Sequence, residues 1–303
     1  MRFLFPLLVL LHIVPFNDTD NLLLIHEGNT LASLNRDAFT SSFLGEPILD
    51  EKIYEEFVEK LDKQLYTAPE NAAINDQGEI IPGRLGYKLD RVEFTEEFYG
   101  YFFNNGPGRI ELPKLILHPK VDSELLADIR IQQIGSYVTY FNKRNKERSH
   151  NIALAAEALD NHVVFPGEIF SFNEVVGERT LEKGYLPAPV IVKGELYEGI
   201  GGGICQVSST LFNAVDKAGV NIIQRYSHSR RVPYVPPGRD ATVSWYGPDF
   251  TFENIHNQPI LIRAKAYEGQ VFIAVYSSDV INYEPRQVPS APNKQPEEIR
   301  VNL

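Results

Sequence analysis

Residues 199–214 read Gly-Ile-Gly-Gly-Gly-Ile-Cys-Gln-Val-Ser-Ser-Thr-Leu-Phe-Asn-Ala, and they constrain this chain more than any other stretch. Three consecutive glycines, Gly201, Gly202 and Gly203, can take backbone angles that other residues avoid, and they let a second chain segment come close. The following residues predict a helix over 204–217, stopped by Ala218-Gly219. A helix start presents unpaired N–H groups and a partial positive charge, which lowers the pKa of a thiol placed there. Cys205, the only cysteine, occupies that position. The arrangement is one way to make a nucleophile. It also fits a tight structural turn followed by a small buried side chain, since free cysteine is among the most buried residue types.

Composition narrows the choices. At 303 residues the chain can form one large or two medium domains. A formal net charge of −11 argues against nucleic acid as a partner. A single cysteine allows neither an intramolecular disulfide nor a multi-cysteine metal site. No cofactor is expected. Residues 1–14 carry Arg2 and then an apolar run of the length of an export-signal core, too short for a comfortable membrane span. Pro15-Phe16-Asn17 follows where a small-residue cleavage site would be, so residues 1–20 read as a signal peptide or an uncleaved anchor that could tether the protein to a membrane. A buried terminal element is the competing reading.

Between 21 and 130 the pattern is mixed. Residues 22–25 form an apolar run suited to a strand, and residues 50–65 carry apolar positions at helical spacing. Asn75-Asp76-Gln77-Gly78 reads as a hairpin turn, 95–103 as a second helix, 109–117 as a strand, and Asp122 as the cap of a short helix to 129. From 131 to 280 the pattern predicts a strand at 134–141, a basic loop at 142–148, a helix at 149–159 and a strand–turn–strand segment at 163–173. It then predicts strands at 187–192 and 220–225, a turn at 238–241 leading into a strand at 242–246 that Asp240 begins, and antiparallel strands at 250–252, 259–266 and 270–276. Residues 281–303, with Pro285, Pro289, Pro292 and Pro296, read as a flexible tail. The expected class is α+β: a small mixed N-terminal domain, then a mainly antiparallel sheet with a central helix starting at the glycine–cysteine loop.

The segments Phe165-Pro166-Gly167-Glu168-Ile169-Phe170-Ser171-Phe172-Asn173, Gly201-Gly202-Gly203-Ile204-Cys205-Gln206-Val207-Ser208, Asn213-Ala214, Arg225, His228-Ser229 and Gly238-Arg239-Asp240-Ala241-Thr242 together resemble the VanW family. This is a bacterial cell-envelope family named after an accessory gene of glycopeptide-resistance clusters. The resemblance spans 134–276. Through 69–89 and 112–119 the preceding region looks like the peptidoglycan-binding region often found upstream of that domain. It implies a secreted or wall-associated protein with peptidoglycan or its stem peptides as partner, and leaves the chemistry to the residues.

Cys205, His228 and Asp240 stand in the order thiol, imidazole, carboxylate, the set a thiol nucleophile needs if the folded chain brings them together. The layout of a cysteine-started helix followed by a strand looks like NlpC-type and transglutaminase-type thiol enzymes, although here the histidine follows the helix more closely. If Cys205, His228 and Asp240 are catalytic, then Gly201, Gly202, Gly203, Gln206, Arg225 and Arg239 are candidates for substrate binding. Arg179, Arg225, Arg230, Arg231 and Arg239 lie around the site in sequence and could hold stem-peptide carboxylates, or simply pair with the abundant acids. Tyr185, Tyr226, Tyr234, Trp245 and Tyr246 could stack on sugar rings or fill the core. Cys, His and Asp at this spacing match no common structural zinc pattern, so no metal is assigned. Two functions remain: a cysteine-dependent peptidase or acyltransferase acting on stem-peptide amides, or a module that binds peptidoglycan without turnover in wall homeostasis or the glycopeptide response.

Overall fold

The computed structural model describes residues 20–43, 46–192 and 195–293, so the 1–20 leader lies almost wholly outside the described residues. The chain divides into two compact units. One comprises the chain up to Asn71 together with Gly83–Lys120, and the other comprises Ala72–Pro82 with everything from Val121. The described residues form six α-helices and mainly antiparallel sheets, so the class is α+β.

In the first unit, strand Asn21–His26 pairs antiparallel with Asn29–Asn35 and parallel with Gly108–Glu111. Helix α1, Glu51–Leu65, begins where the Asp50 carboxylate accepts the Ile53 N–H at 3.1 Å. It buries Tyr54, Val58, Leu61 and Leu65, one stripe at helical spacing. Helix α2, Arg91–Phe103, starts one turn earlier than the pattern at 95–103 suggests, because Asp90 accepts the Val92 and Glu93 N–H groups. The ring of Phe98 lies 5.1 Å from Phe39 and 4.7 Å from Tyr54, so this core is built on aromatic contacts. The single strand expected at 109–117 is broken. Pro113 has no N–H to offer a ladder, so Gly108–Glu111 and Lys114–Leu117 join different sheets, the latter pairing with Gly86–Leu89.

The second unit opens with the short hairpin Ala73–Ile74/Ile80–Ile81, turned at Asn75–Gly78 as expected. Asp122 caps α3, Ser123–Ile129. Four antiparallel strands follow in the order Gln132–Tyr140, Gln270–Ser277, Ile260–Tyr267, His162–Val164. Helix α4, Lys146–Leu159, absorbs the end of the expected basic loop because Asn145 caps it, accepting the Arg148 N–H at 3.1 Å. Helix α5, Phe172–Val176, is a single turn capped by Ser171. Helix α6 runs Ile204–Lys217, ended by Ala218 and by Gly219 at φ +86°, as the sequence indicates. It packs on the sheet with α4. Gly135 lets the α6 backbone come close, since a Cβ there would collide with the Ala214 carbonyl oxygen.

Three expectations are corrected here. Strand Thr251–Glu253 does not join its sequence neighbours but pairs with Ile169–Ser171 and Asn221–Gln224 in a separate sheet. Residues 240–246 form no strand, so Asp240 does not begin one. The loop is instead held by side chains of α6. The expectation of a flexible tail from 281 is not met over residues 286–291. The Arg286 guanidinium bonds Asp216, Val220 O and Gly219 O, the Tyr137 hydroxyl donates to Pro289 O at 2.8 Å, and Ala291 is buried.

Candidate thiol site

The glycine loop is shaped by close approach. Hairpin Pro187–Val192/Glu195–Ile200 delivers the chain into it, so the strand expected at 187–192 has a return partner before the glycines. A Cβ on Gly202 would lie 2.6 Å from Ala188 O, and Gly201 and Gly203 sit at φ +81° and +111°, conformations that favour glycine. Asn151 of α4 locks the loop. Its amide donates to Leu186 O at 2.8 Å and Gly202 O at 3.1 Å, while its oxygen accepts the Leu186 N–H at 2.8 Å. These bonds aim the first turn of α6. Gly203 supplies no capping side chain, and the Cys205 N–H has no acceptor among the described residues.

The polar residues of α6 then place the partners of the thiol. The Ser209 hydroxyl donates to Cys205 O at 2.6 Å and accepts the Ala241 N–H at 2.9 Å. The Asn213 amide donates to Ser209 O at 2.7 Å and Arg239 O at 2.8 Å. The 239–241 backbone is thereby fastened along the helix, and Asp240 is carried with it. Arg225 adds a bond from Nη1 to Asp240 O at 2.6 Å.

Asp240 Oδ2 accepts both the His228 backbone N–H, at 2.6 Å, and Nδ1–H, at 2.7 Å. The two side chains are only 6% and 10% exposed, so solvent screens this contact weakly. With Nδ1 committed to Asp240, Nε2 is the ring nitrogen left for the partly buried Cys205 thiol, and the two groups are close enough to shift each other's protonation. Cys205 Sγ also lies 3.5 Å from Val243 O. The sequence therefore names three residues that the fold does bring together.

Electrostatics follow from this contact. Burial pushes the Cys205 thiol up. The hydrogen bond and charge of His228, aided by Val243 and Arg179, outweigh it and hold the thiol below its ordinary value. Burial pushes His228 down, but bonds to Asp240 and Cys205 prevail and raise it to about 9. Burial likewise pushes Asp240 up, and its two His228 bonds bring it below the usual carboxylate range. Both directions favour proton transfer from the Cys205 thiol to the His228 ring, which the Asp240 carboxylate holds in place. Such a pair can attack an electrophilic carbon and then return a proton to a leaving group.

Other sequence candidates serve the framework. Gln206 is buried, donating to Thr139 Oγ1 at 3.1 Å and Tyr140 O at 3.0 Å while accepting from Arg148 at 2.8 Å. Arg239 pairs with Asp216 at 2.7 Å and bonds Asn213 Oδ1, and both Arg225 and Arg239 lie over the Phe212 ring. Arg225 and Arg239 thus hold the loop rather than face a ligand. Tyr185 and Tyr234 belong to the core, whereas Tyr226, Trp245 and Tyr246 are exposed. Arg230 and Arg231 are exposed and, with His228 and Asp240, line a pocket of about 220 Å³. Sequence reasoning missed Asn151, Ser209 and Asn213 as positioning residues. The available signal was the buried polar series Gln206, Ser209, Thr210 and Asn213 on a helix facing the core. Among the described residues no group of three or more His, Cys, Asp or Glu is placed to hold a metal.

The site is thus that of a protein with a helix-start thiol and a carboxylate-held histidine set on an antiparallel α+β frame. Residues 147–276 match the family model described as VanW like protein. The chain is 61% identical over 285 residues, 94% of both chains, to a Bacillus subtilis (strain 168) protein described as uncharacterized protein YoaR. It is also 34% identical over 99 residues, 31% of this chain and 36% of the relative, to the vancomycin B-type resistance protein VanW of Enterococcus faecalis (strain ATCC 700802 / V583). No solved structure matches. The chain belongs to the VanW family.

Proposed function

We propose that this is an exported cell-envelope protein whose second unit is a cysteine-dependent enzyme acting on amides of peptidoglycan stem peptides. One observation carries the reading: Asp240 holds the His228 ring in a poorly solvated setting, within electrostatic reach of Cys205. Membership of the VanW family, with a relative named for vancomycin resistance, supports the cell-envelope setting. The apolar start of the chain supports export, with the N-terminal segment as a leader or a membrane tether. The first unit would hold peptidoglycan and position the second.

In this mechanism the Cys205 thiolate attacks the amide carbonyl carbon and a C–S bond forms. The Cys205 N–H, which has no acceptor among the described residues, donates to the developing oxyanion. The C–N bond breaks as His228 gives its proton to the leaving nitrogen, and Asp240 keeps the ring oriented. Water, or an amine in a transfer reaction, attacks the thioester with His228 as base and frees the sulfur.

The test uses the intact protein with muropeptides, following new amino groups by mass spectrometry. Turnover that is lost in Cys205→Ala and His228→Ala supports the enzyme. Muropeptide binding without turnover in the wild type, unchanged in Cys205→Ala, would replace it with the non-catalytic wall-binding reading.

A further inference from the structure

Arg179 follows α5 and lies on the far side of the thiol from Asp240's contacts in chain order, yet it acts on Cys205 through its charge. Its stem packs on the glycine loop, where a Cβ on Gly201 would lie 3.0 Å from the Arg179 Cβ. One end of the guanidinium is fixed: Nη1 donates to Gly177 O at 3.1 Å and Nη2 to Asn173 Oδ1 at 2.8 Å. Asn173 is itself anchored to Ser244 O at 3.0 Å. The group centre sits 5.7 Å from the Phe172 ring. No carboxylate lies within 4.0 Å of it among the described residues. Asp249 acts on it only at longer range, being committed to Ser171 Oγ at 2.6 Å and the Asn173 N–H at 3.0 Å.

Arg225 and Arg239 have settled structural roles, and Arg239 has a carboxylate partner. Arg179 is a largely desolvated cation without one. Its Nε has no hydrogen-bond partner among the described residues and is not among the sealed, unpartnered polar atoms, so it stays reachable. The same holds for the hydroxyl of Tyr185, a buried ring whose only charged influence is Arg179. A planar guanidinium with free donors matches a carboxylate, and the Tyr185 phenol, within electrostatic reach of it, is a further donor.

We propose that Arg179, with the Tyr185 hydroxyl as a further donor, binds a free carboxylate of the substrate next to Cys205, so that the site selects acyl donors that carry such a group near the scissile carbonyl. This rests on the thiol mechanism proposed above and specifies its substrate class. The reason is the missing counter-charge: Arg179 has no carboxylate partner of its own among the described residues, and a substrate carboxylate would supply one in a place where water screens little.

The experiment compares alkylation of Cys205 in the full chain by iodoacetate and by iodoacetamide, at one pH and ionic strength. Both react by sulfur displacing iodide, and only the first carries a carboxylate. Arg179→Gln should lower the iodoacetate-to-iodoacetamide rate ratio by about tenfold, the size of one charge-assisted contact, with Arg179→Lys in between. An unchanged ratio in folded Arg179→Gln overturns the proposal. Should that variant not fold, wild-type protein decides: N-acetylalanine should slow iodoacetamide labelling more than N-acetylalaninamide does, and equal protection overturns it. Cys205 that reacts with neither reagent faster than an unfolded-chain thiol would instead remove the thiol mechanism itself. The two failures are therefore distinguishable.

Discussion

The two units solve the burial problem differently. The first unit's core is aromatic and aliphatic, centred on Phe94, Phe98 and Phe102. Every buried polar or charged residue among the described residues, from Thr139 to Ser278, lies in the second unit. Buried polar groups destabilise unless each finds a partner. The second unit supplies those partners mainly along α6, where Gln206, Ser209, Thr210 and Asn213 bond outward to strands and loops. That network fastens the loop carrying Asp240 beside the helix carrying Cys205. The first unit's core is built from packing alone, and the second uses its core to hold the polar groups of the candidate site in place.

Breaking the thiol set tests the contrast most strongly. His228→Ala should reduce amide turnover by roughly 10²–10⁴-fold, the usual weight of a general acid–base. It should also slow iodoacetamide labelling of Cys205 near neutral pH by about tenfold or more, because the thiol returns towards its ordinary range. Circular dichroism should remain that of the folded protein.

In the first unit, Phe98→Ala should cost about 3–5 kcal/mol in denaturant unfolding of that unit, since it empties the centre of an aromatic cluster. Under conditions where the variant stays folded, Cys205 labelling should not change. A large change would break the division of roles.

Asn213→Ala lies between the two kinds of effect. It leaves Arg239 O and Ser209 O without their donor, and should cost about 1–3 kcal/mol while slowing Cys205 labelling. Loss of stability with no effect on labelling would show that the 239–241 loop is positioned by other contacts.

Asp240→Asn sharpens the electrostatics. In the wild type the Cys205 thiol is held below its ordinary value and His228 keeps its proton up to about 9. Labelling should therefore reach its plateau below the ordinary thiol range, and Asp240→Asn should move the rise to higher pH. Because His228 holds its proton more tightly folded than unfolded, its share of stability is complete below about pH 6.5. That share fades as pH rises through about 9. The smallest effect is expected at Arg84→Ala, which removes an exposed ion pair with Glu70. It should leave the melting temperature unchanged within error.

Local signals were sufficient for much of this architecture. Asp50 and Asp122 mark helix starts, Gly219 marks the end of α6, and the hairpin at Asn75–Gly78 announces itself, because caps and turns depend on neighbouring residues. The family resemblance was equally legible, and residue types and order singled out Cys205, His228 and Asp240 as candidates. What the sequence could not state was distance. That Asp240 meets both the backbone and the ring of His228 depends on Asn213 and Ser209 gripping a loop 26 to 32 residues away. Only the folded chain distinguishes Arg239, paired with Asp216, from Arg179, left without a carboxylate, although both look alike as arginines in an acidic protein. Thr251–Glu253 joined an unexpected sheet and residues 286–291 were pinned to the unit for the same reason. Long-range pairing is decided by which buried surfaces and polar partners remain, and no local pattern records that.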